Sequence, residues 1–292
     1  MISNLNPSSE AFLANVDRVQ RAIAKASLQV SSGKRVNVAS DAPSEIDTIM
    51  QLQTDGVRNQ QIQNNLGVVK TDADAADSAL SSAIKIMDRA RTLAAEGANF
   101  TLDANGRQAL AGEVQSLLEQ MVAISGTVVQ GRYVFGGDQD GTPPYQLDLT
   151  SDTGVARLTN ASATRRVEDS AGGSFAVAKG AQEIFDARNA DDSLAAGNVF
   201  ASLSSLRTGL LANDTTQISA ANGALQSASD QLNLSQAFYG TVQNRIENAT
   251  SYSSSYDLQL TVQLSQKQDA DITASALAIT QGNTQLQAAF AV

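Results

Sequence analysis

Cysteine, histidine and tryptophan are all missing from the 292 residues. Without cysteine there is no disulfide framework, no thiolate nucleophile and no thiolate metal site. Without histidine the chain lacks the commonest general base near neutral pH and the commonest metal ligand. Aromatic residues make up only 4%, little bulk for the core and pocket of a compact enzyme of this size. Positive charge is also short. The net charge is −10, which argues against a nucleic-acid binder, since such a protein needs a basic face. No run of 18 apolar residues occurs, so no transmembrane helix is expected. The opening MISNLNPSSEAF lacks a basic segment followed by an apolar one, so a cleaved Sec-type signal peptide is not expected either. No Walker loop, dinucleotide fingerprint or zinc motif appears. The expectation is no cofactor, no metal, no catalytic residue, no nucleic acid and no membrane.

What is present is Ala, Ser, Gln, Asn, Asp and Leu in helical rhythm, a composition suited to long helices with thin seams. Phe12, Val16, Val19, Ile23, Ala26 and Val30 are spaced alternately four and three apart. The same spacing runs from Leu66 to Ala94, from Leu110 to Val128, and from Ile218 through Leu225, Leu232, Tyr239 and Ile246 to Leu260. This is the repeat of packed long helices. The last of these series alone amounts to roughly 60 Å of helix. After a Gln-rich phase shift at 263–271, Ile272, Ala276, Ile279, Asn283, Leu286 and Phe290 form a final series. Residues 191–212 read as one more helix, with Val199, Leu203, Leu206 and Leu210 on a face.

Only Pro7, Pro43, Pro143 and Pro144 break this pattern as prolines. Between 138 and 186 the period changes. Short alternating runs at 145–149, 155–159, 164–168 and 174–178 are separated by turn clusters such as Ser151-Asp152-Thr153-Gly154. They predict a small β-rich insertion standing apart from the helices, removable without harm to them. The fold class expected is mainly α: a long coiled-coil-like helical hairpin rod formed by the N- and C-terminal regions, with a small β-rich inserted domain. The expected divisions are 1–43 and 260–292 as two halves of a terminal coiled-coil domain, 44–137 and 187–259 as two parts of an α-helical rod domain, and 138–186 as the insertion.

Candidate sites are few. Asp138-Gln139-Asp140-Gly141 resembles a piece of a calcium loop, but the later ligands are missing and Thr142-Pro143-Pro144 follows, so a turn is the reading kept. Asp72, Asp74 and Asp77 read as a solvated helix face. Asn-x-Ser/Thr triplets at Asn160 and Asn248 are expected by chance in so Asn- and Ser-rich a chain. Residues 1–40 hold five basic side chains against two acidic, and 213–292 hold two basic against six acidic, which favours pairing of the ends. The terminal apolar stripes are the most informative feature. Each is a narrow seam that two helices alone cannot cover well, so Phe12, Val16, Val19, Ile23, Val30, Leu260, Ile272, Ile279, Leu286 and Phe290 are expected to pack against neighbouring copies.

Three stretches carry a family resemblance. VSSGKRVNVASDAPSE (residues 30–45, with Ser31, Ser32, Gly33, Arg35, Asp41 and Pro43) resembles the N-terminal signature of the bacterial flagellin and hook-associated protein superfamily. GRYVFGGDQDGTPPY (131–145, with Arg132, Tyr133, Phe135, Gly136, Gly137, Pro143 and Pro144) is more similar to its hook–filament junction members than to filament flagellins. Residues 244–290, with Asn244, Arg245, Asp269 and Asp271, resemble the shared C-terminal region. The resemblance covers about 1–145 and 191–292. It departs from the family at Asp41-Ala42-Pro43, which has a single acid, and at the short final helix. It implies a structural subunit, not an enzyme. Such a subunit is exported through the flagellar type III channel, guided by a poorly ordered N-terminus and a chaperone at the C-terminal region. It then assembles as a helical ring between a neighbouring hook-associated protein and flagellin, outside the cell. A short filament flagellin is the alternative within the family. A secreted coiled-coil adaptor or adhesin is the alternative outside it.

Overall fold

The computed structural model describes residues 7–161 and 165–291. Residues 1–6, the first part of the N-terminal stretch expected to be poorly ordered, lie outside the described residues, as does Thr164 of the third predicted strand. The order is α1 (Pro7–Ser32), a 3-10 turn (Ala39–Asp41), α2 (Ile46–Gly97), α3 (Ala104–Ser125), β1 (Val128–Val129), β2 (Arg132–Tyr133), β3 (Tyr145–Leu147), β4 (Val155–Arg157), β5 (Arg166–Glu168), β6 (Ser174–Ala176), α4 (Ala181–Phe185), α5 (Val199–Leu211), α6 (Thr215–Gln268) and α7 (Ile272–Phe290). The fold is mainly α with a small β-rich region, as the periodicity predicts. The strands form three separate antiparallel pairs, β1–β2, β3–β4 and β5–β6.

Two local readings change. Val128 leaves the helical series and sits in β1, because α3 closes at Gly126 with three backbone bonds back to Val122, Ala123 and Ile124. Residues 191–198 are not helical; α5 begins only at Val199, where the Asn198 side chain caps the Ala201 N–H.

The chain divides into two compact units. One comprises Met1–Gln61 with Ser254–Val292, the other Ile62–Ser253. The divisions fall inside α2 and α6 rather than at 43/44 and 259/260. The second unit holds the large core. Leu66, Leu80, Met87, Leu118, Met121, Leu225 and Leu232 are fully enclosed, together with the ring cluster Phe135, Phe185, Phe200 and Tyr239. Phe135 meets Phe185 edge-on at 5.4 Å and Tyr239 at 6.3 Å. The Tyr239 hydroxyl accepts the Lys179 N–H, and burial raises its pKa to about 12.

The insertion does not stand apart. Tyr145, Val155, Val167, Phe175 and Val177 belong to the same core as the helices. Arg165 donates to Asp72 of α2 at 2.8 Å and to Asp140 at 2.5 Å, and Arg132 completes the group. Asp72 is therefore a half-buried ion-pair partner and not a solvated acid. Asp74 does lie exposed, paired with Lys70 and Gln243. A second network centres on buried Asp186, which accepts from Arg188 and from Asn198 and pairs with Arg157. Burial, and next the Asp186 charge, push the neighbouring Tyr145 hydroxyl far above its ordinary pKa. Among the described residues no cluster of acids suited to a metal ion occurs, and no helix is long and apolar enough to cross a membrane.

Candidate functional site at the paired chain ends

The candidate site is the terminal unit, where α1 and α7 run antiparallel and meet along their length. Phe12 and Phe290 touch edge-on at 6.5 Å at one end. Further along, Gly282 lies so close to Ile23 that a β-carbon there would stand 2.5 Å from Ile23 Cγ1. Next, Ser275 donates to Gln29 Oε1 at 3.3 Å. The buried residues of this pair are the small ones, Ala26, Ser275 and Gly282. Small side chains let two helices approach closely but remove little apolar area from water.

The polar break after α1 closes the pair. Gly33 turns the chain with φ of +69°. Arg35 and Val36 then donate their N–H groups to the Gln268 carbonyl, and Ala270 donates to the Gly33 carbonyl at 2.9 Å. The Arg35 guanidinium spans the Lys267 carbonyl and Glu45, both at 2.6 Å, and Lys267 shares Glu45. The opposite net charge of the two ends is thus not what joins them here; a basic residue of the C-terminal segment meets an acid that follows Pro43. Glu45 is held below its ordinary pKa, chiefly by the Arg35 hydrogen bond. Asp41 accepts the N–H groups of Asn37 and Val38 at 3.0 Å each. These bonds, Val38 first, lower its pKa. Ser31 and Ser32 bond back to the Leu28 carbonyl, and Ser32 accepts the Lys34 N–H. Under the break, Val36, Ala42 and Ile49 form a small core with Leu264; Pro43 is exposed. Asp269 pairs with Lys34 through the backbone, and Asp271 caps α7 by accepting the Ala274 N–H.

The remaining signature residues lie in the other unit. Tyr133 donates its N–H to the Asp140 carbonyl, and the Ala181 N–H donates to the Phe135 carbonyl. Gly136 and Gly137 are buried in the turn between them, and Pro144 is buried at the start of β3, behind half-buried Pro143. This motif folds the insertion onto the core. Asn244 is exposed on α6, while Arg245 lies over the Phe175 ring at 4.3 Å.

Of the terminal stripe, Val16, Val19, Ile23, Ile279 and Leu286 are half-buried and Leu260 is buried, whereas Phe12, Val30, Ile272 and Phe290 are exposed. The expected series on α7 is also rotated. The face that meets α1 is Ser275, Ile279, Gly282 and Leu286, not Ile272, Ala276 and Asn283. At about 100° per residue the two faces are offset by roughly 60°. The sequence signal that reveals this face is the glycine: only a residue without a side chain fits against Ile23. The consequence is a helix whose apolar stripe is half used, with Phe290 69% and Ile272 45% exposed.

A flagellar hook-associated protein of Vibrio parahaemolyticus shares the fold with TM-score 0.67 at 19% identity, covering 78% of this chain and all of that one. Residues 2–140 match the model of the bacterial flagellin N-terminal helical region. Flagellar hook-associated protein 3 of Escherichia coli is 27% identical over 279 residues, 90% of this chain and 86% of that protein. Flagellin of Bacillus subtilis is 27% identical over 277 residues, with the same coverage. Across nine-tenths of its length the chain is similar to flagellins and hook-associated proteins, structural proteins of the bacterial flagellum.

Proposed function

We propose that the chain is the structural subunit that joins hook to filament, assembling helically with its own copies and with the hook-associated protein and flagellin on either side. The observation that carries assembly is the half-used apolar stripe of the terminal pair. α1 and α7 cover each other with small residues and leave Phe12, Val30, Ile272 and Phe290 to a further partner. Phe12 and Phe290 lie together at one end of the pair and Val30 and Ile272 near the clasp at the other, so each end offers a small apolar patch to a neighbour. The junction, rather than the filament, is favoured by the 131–145 motif, which resembles the junction members and fixes the insertion through Phe135 and Asp140. The reading carries with it export through the flagellar type III channel without a cleaved signal peptide, a chaperone for the C-terminal region, a place outside the cell, and no catalytic activity.

The test is a deletion strain complemented with the wild-type chain or with Ile279→Asp. Ile279 faces α1 and is half-buried in the single chain; once a neighbouring copy covers it, an unpartnered carboxylate there costs several kcal/mol in every subunit. Wild type restores filaments. The variant is exported and keeps its second unit folded, yet leaves hooks bare while flagellin collects in the medium. Normal swimming with Ile279→Asp sinks the proposal.

A further inference from the structure

The tip of the second unit presents an aromatic side chain that no intramolecular packing uses. Phe100, in the loop between α2 and α3, is 90% exposed. A loose loop would carry such a residue at random, but this loop is braced. Buried Arg107 donates to the Gly97 carbonyl at 2.7 Å, to the Asn99 carbonyl at 2.8 Å and to Asn213 Oδ1 at 2.5 Å, tying the loop to the turn before α6. Asn99 in turn accepts the Thr101 N–H and hydroxyl. Rigid aromatic anchors lose little entropy on docking and dominate interface energetics. Glu96, Asp103 and Asp214 are exposed on or beside the two braced turns, Arg107 is buried, and Arg89, which feels the Glu96 charge from two turns earlier in α2, is itself paired with Glu113.

The outer face of α1 has the opposite character. Arg21, Lys25 and Leu28 follow at spacings of four and three, all exposed, with Leu28 50% exposed; Asp17, one turn earlier on the same face, pairs with Arg21 at 2.6 Å, so the net positive charge of the strip rests on Lys25 and on Arg18 beside it. At about 100° per residue they lie on the side of the helix away from Ala26 and Ile23, which meet α7. An acidic rim around an aromatic knob and a basic strip beside a leucine are complementary in charge and in polarity.

We propose that the Phe100 tip of one copy docks on the Arg21–Lys25–Leu28 face of α1 in a neighbouring copy. The contact joins two different surfaces, so its repetition builds a ring or an open helix and not a closed pair. It rests on the assembly reading above and adds which surfaces meet.

The chain has no cysteine, so single engineered thiols report contacts without background. Full-length Thr101→Cys, next to intact Phe100, is mixed with full-length Ala24→Cys, one turn before intact Leu28, and Leu158→Cys, exposed on the insertion, replaces either one as a control. All are brought to assembly conditions, oxidised, and analysed by non-reducing gel and by sedimentation. The expected result is a 101–24 cross-linked dimer at least ten-fold more abundant than either control pair. Adding Phe100→Ser to the first chain should abolish it. Chains that pellet as assemblies with the 101–24 dimer no more abundant than the controls, or unchanged by Phe100→Ser, overturn this contact and leave the assembly reading intact. Chains that neither pellet nor cross-link overturn both.

Discussion

Arg107 is a single residue with an outsized structural role. It is enclosed, and its three acceptors belong to two different turns. Replacing it with Leu leaves those acceptors without their charged donor, at a cost of about 2–3 kcal/mol; the urea midpoint of the chain should fall accordingly, while helical content at zero urea stays near wild type. Asp41 makes a contrasting prediction, because it works at the surface. Its folded pKa lies below its ordinary 3.8, so the stabilisation from the Asn37 and Val38 bonds is complete above that value and is lost as pH falls through the folded pKa. The amide resonances of Asn37 and Val38 should therefore titrate together with a midpoint below pH 3.8, and Asp41→Asn should remove that titration.

At the scale of elements, the insertion gives the sharpest test. Phe175 is buried in the shared core and carries Arg245 on its face. Phe175→Ala should cost about 3–5 kcal/mol, read from thermal or urea unfolding of the helices, a result a peripheral domain would not give. Replacing 138–186 by a short flexible linker should likewise lower the melting temperature of the helical signal. The helices themselves are legible in the sequence because a seam repeats every three to four residues, and the strands because 145–149 and 174–178 alternate. The sharing of one core is not legible. Alternation in Val167 and Phe175 says that one face is covered and is silent on what covers it. Ion pairs such as Arg165 with Asp72 join residues 93 positions apart, and no local pattern announces them. On α7 the apolar count misleads, since the helix packs on Ser275 and Gly282, residues that a search for hydrophobic periodicity passes over.

For the whole molecule, the contrast between the two units matters most. The second encloses a continuous core from Ile62 to Ala249, whereas among the described residues the terminal unit buries Ala26, Ser275 and Gly282 of α1 and α7, the patch around Val36 and Ile49, and Asn59 and Leu260 on the long helices. Opening free energies follow buried apolar area. Limited proteolysis of the purified chain should therefore remove α1 and α7 first and leave a resistant fragment close to 62–253. Equal resistance along the whole chain would show that the ends are already as stable as the core.

The paired ends are pinned at two levels: at the Gly33–Ala270 clasp and at the fit of Gly282 against Ile23. Between the pins each helix has a fixed number of residues. Losing one residue of α1 there, Ser27 for instance, would turn everything before it by about 100° and shift it by about 1.5 Å. Ile23 would swing off Gly282 while the clasp still held. Substitutions in this interval change how well the helices fit, but a change of length makes the two pins mutually exclusive. Chain length between 23 and 33, and between 270 and 282, is thus a fixed quantity of this protein.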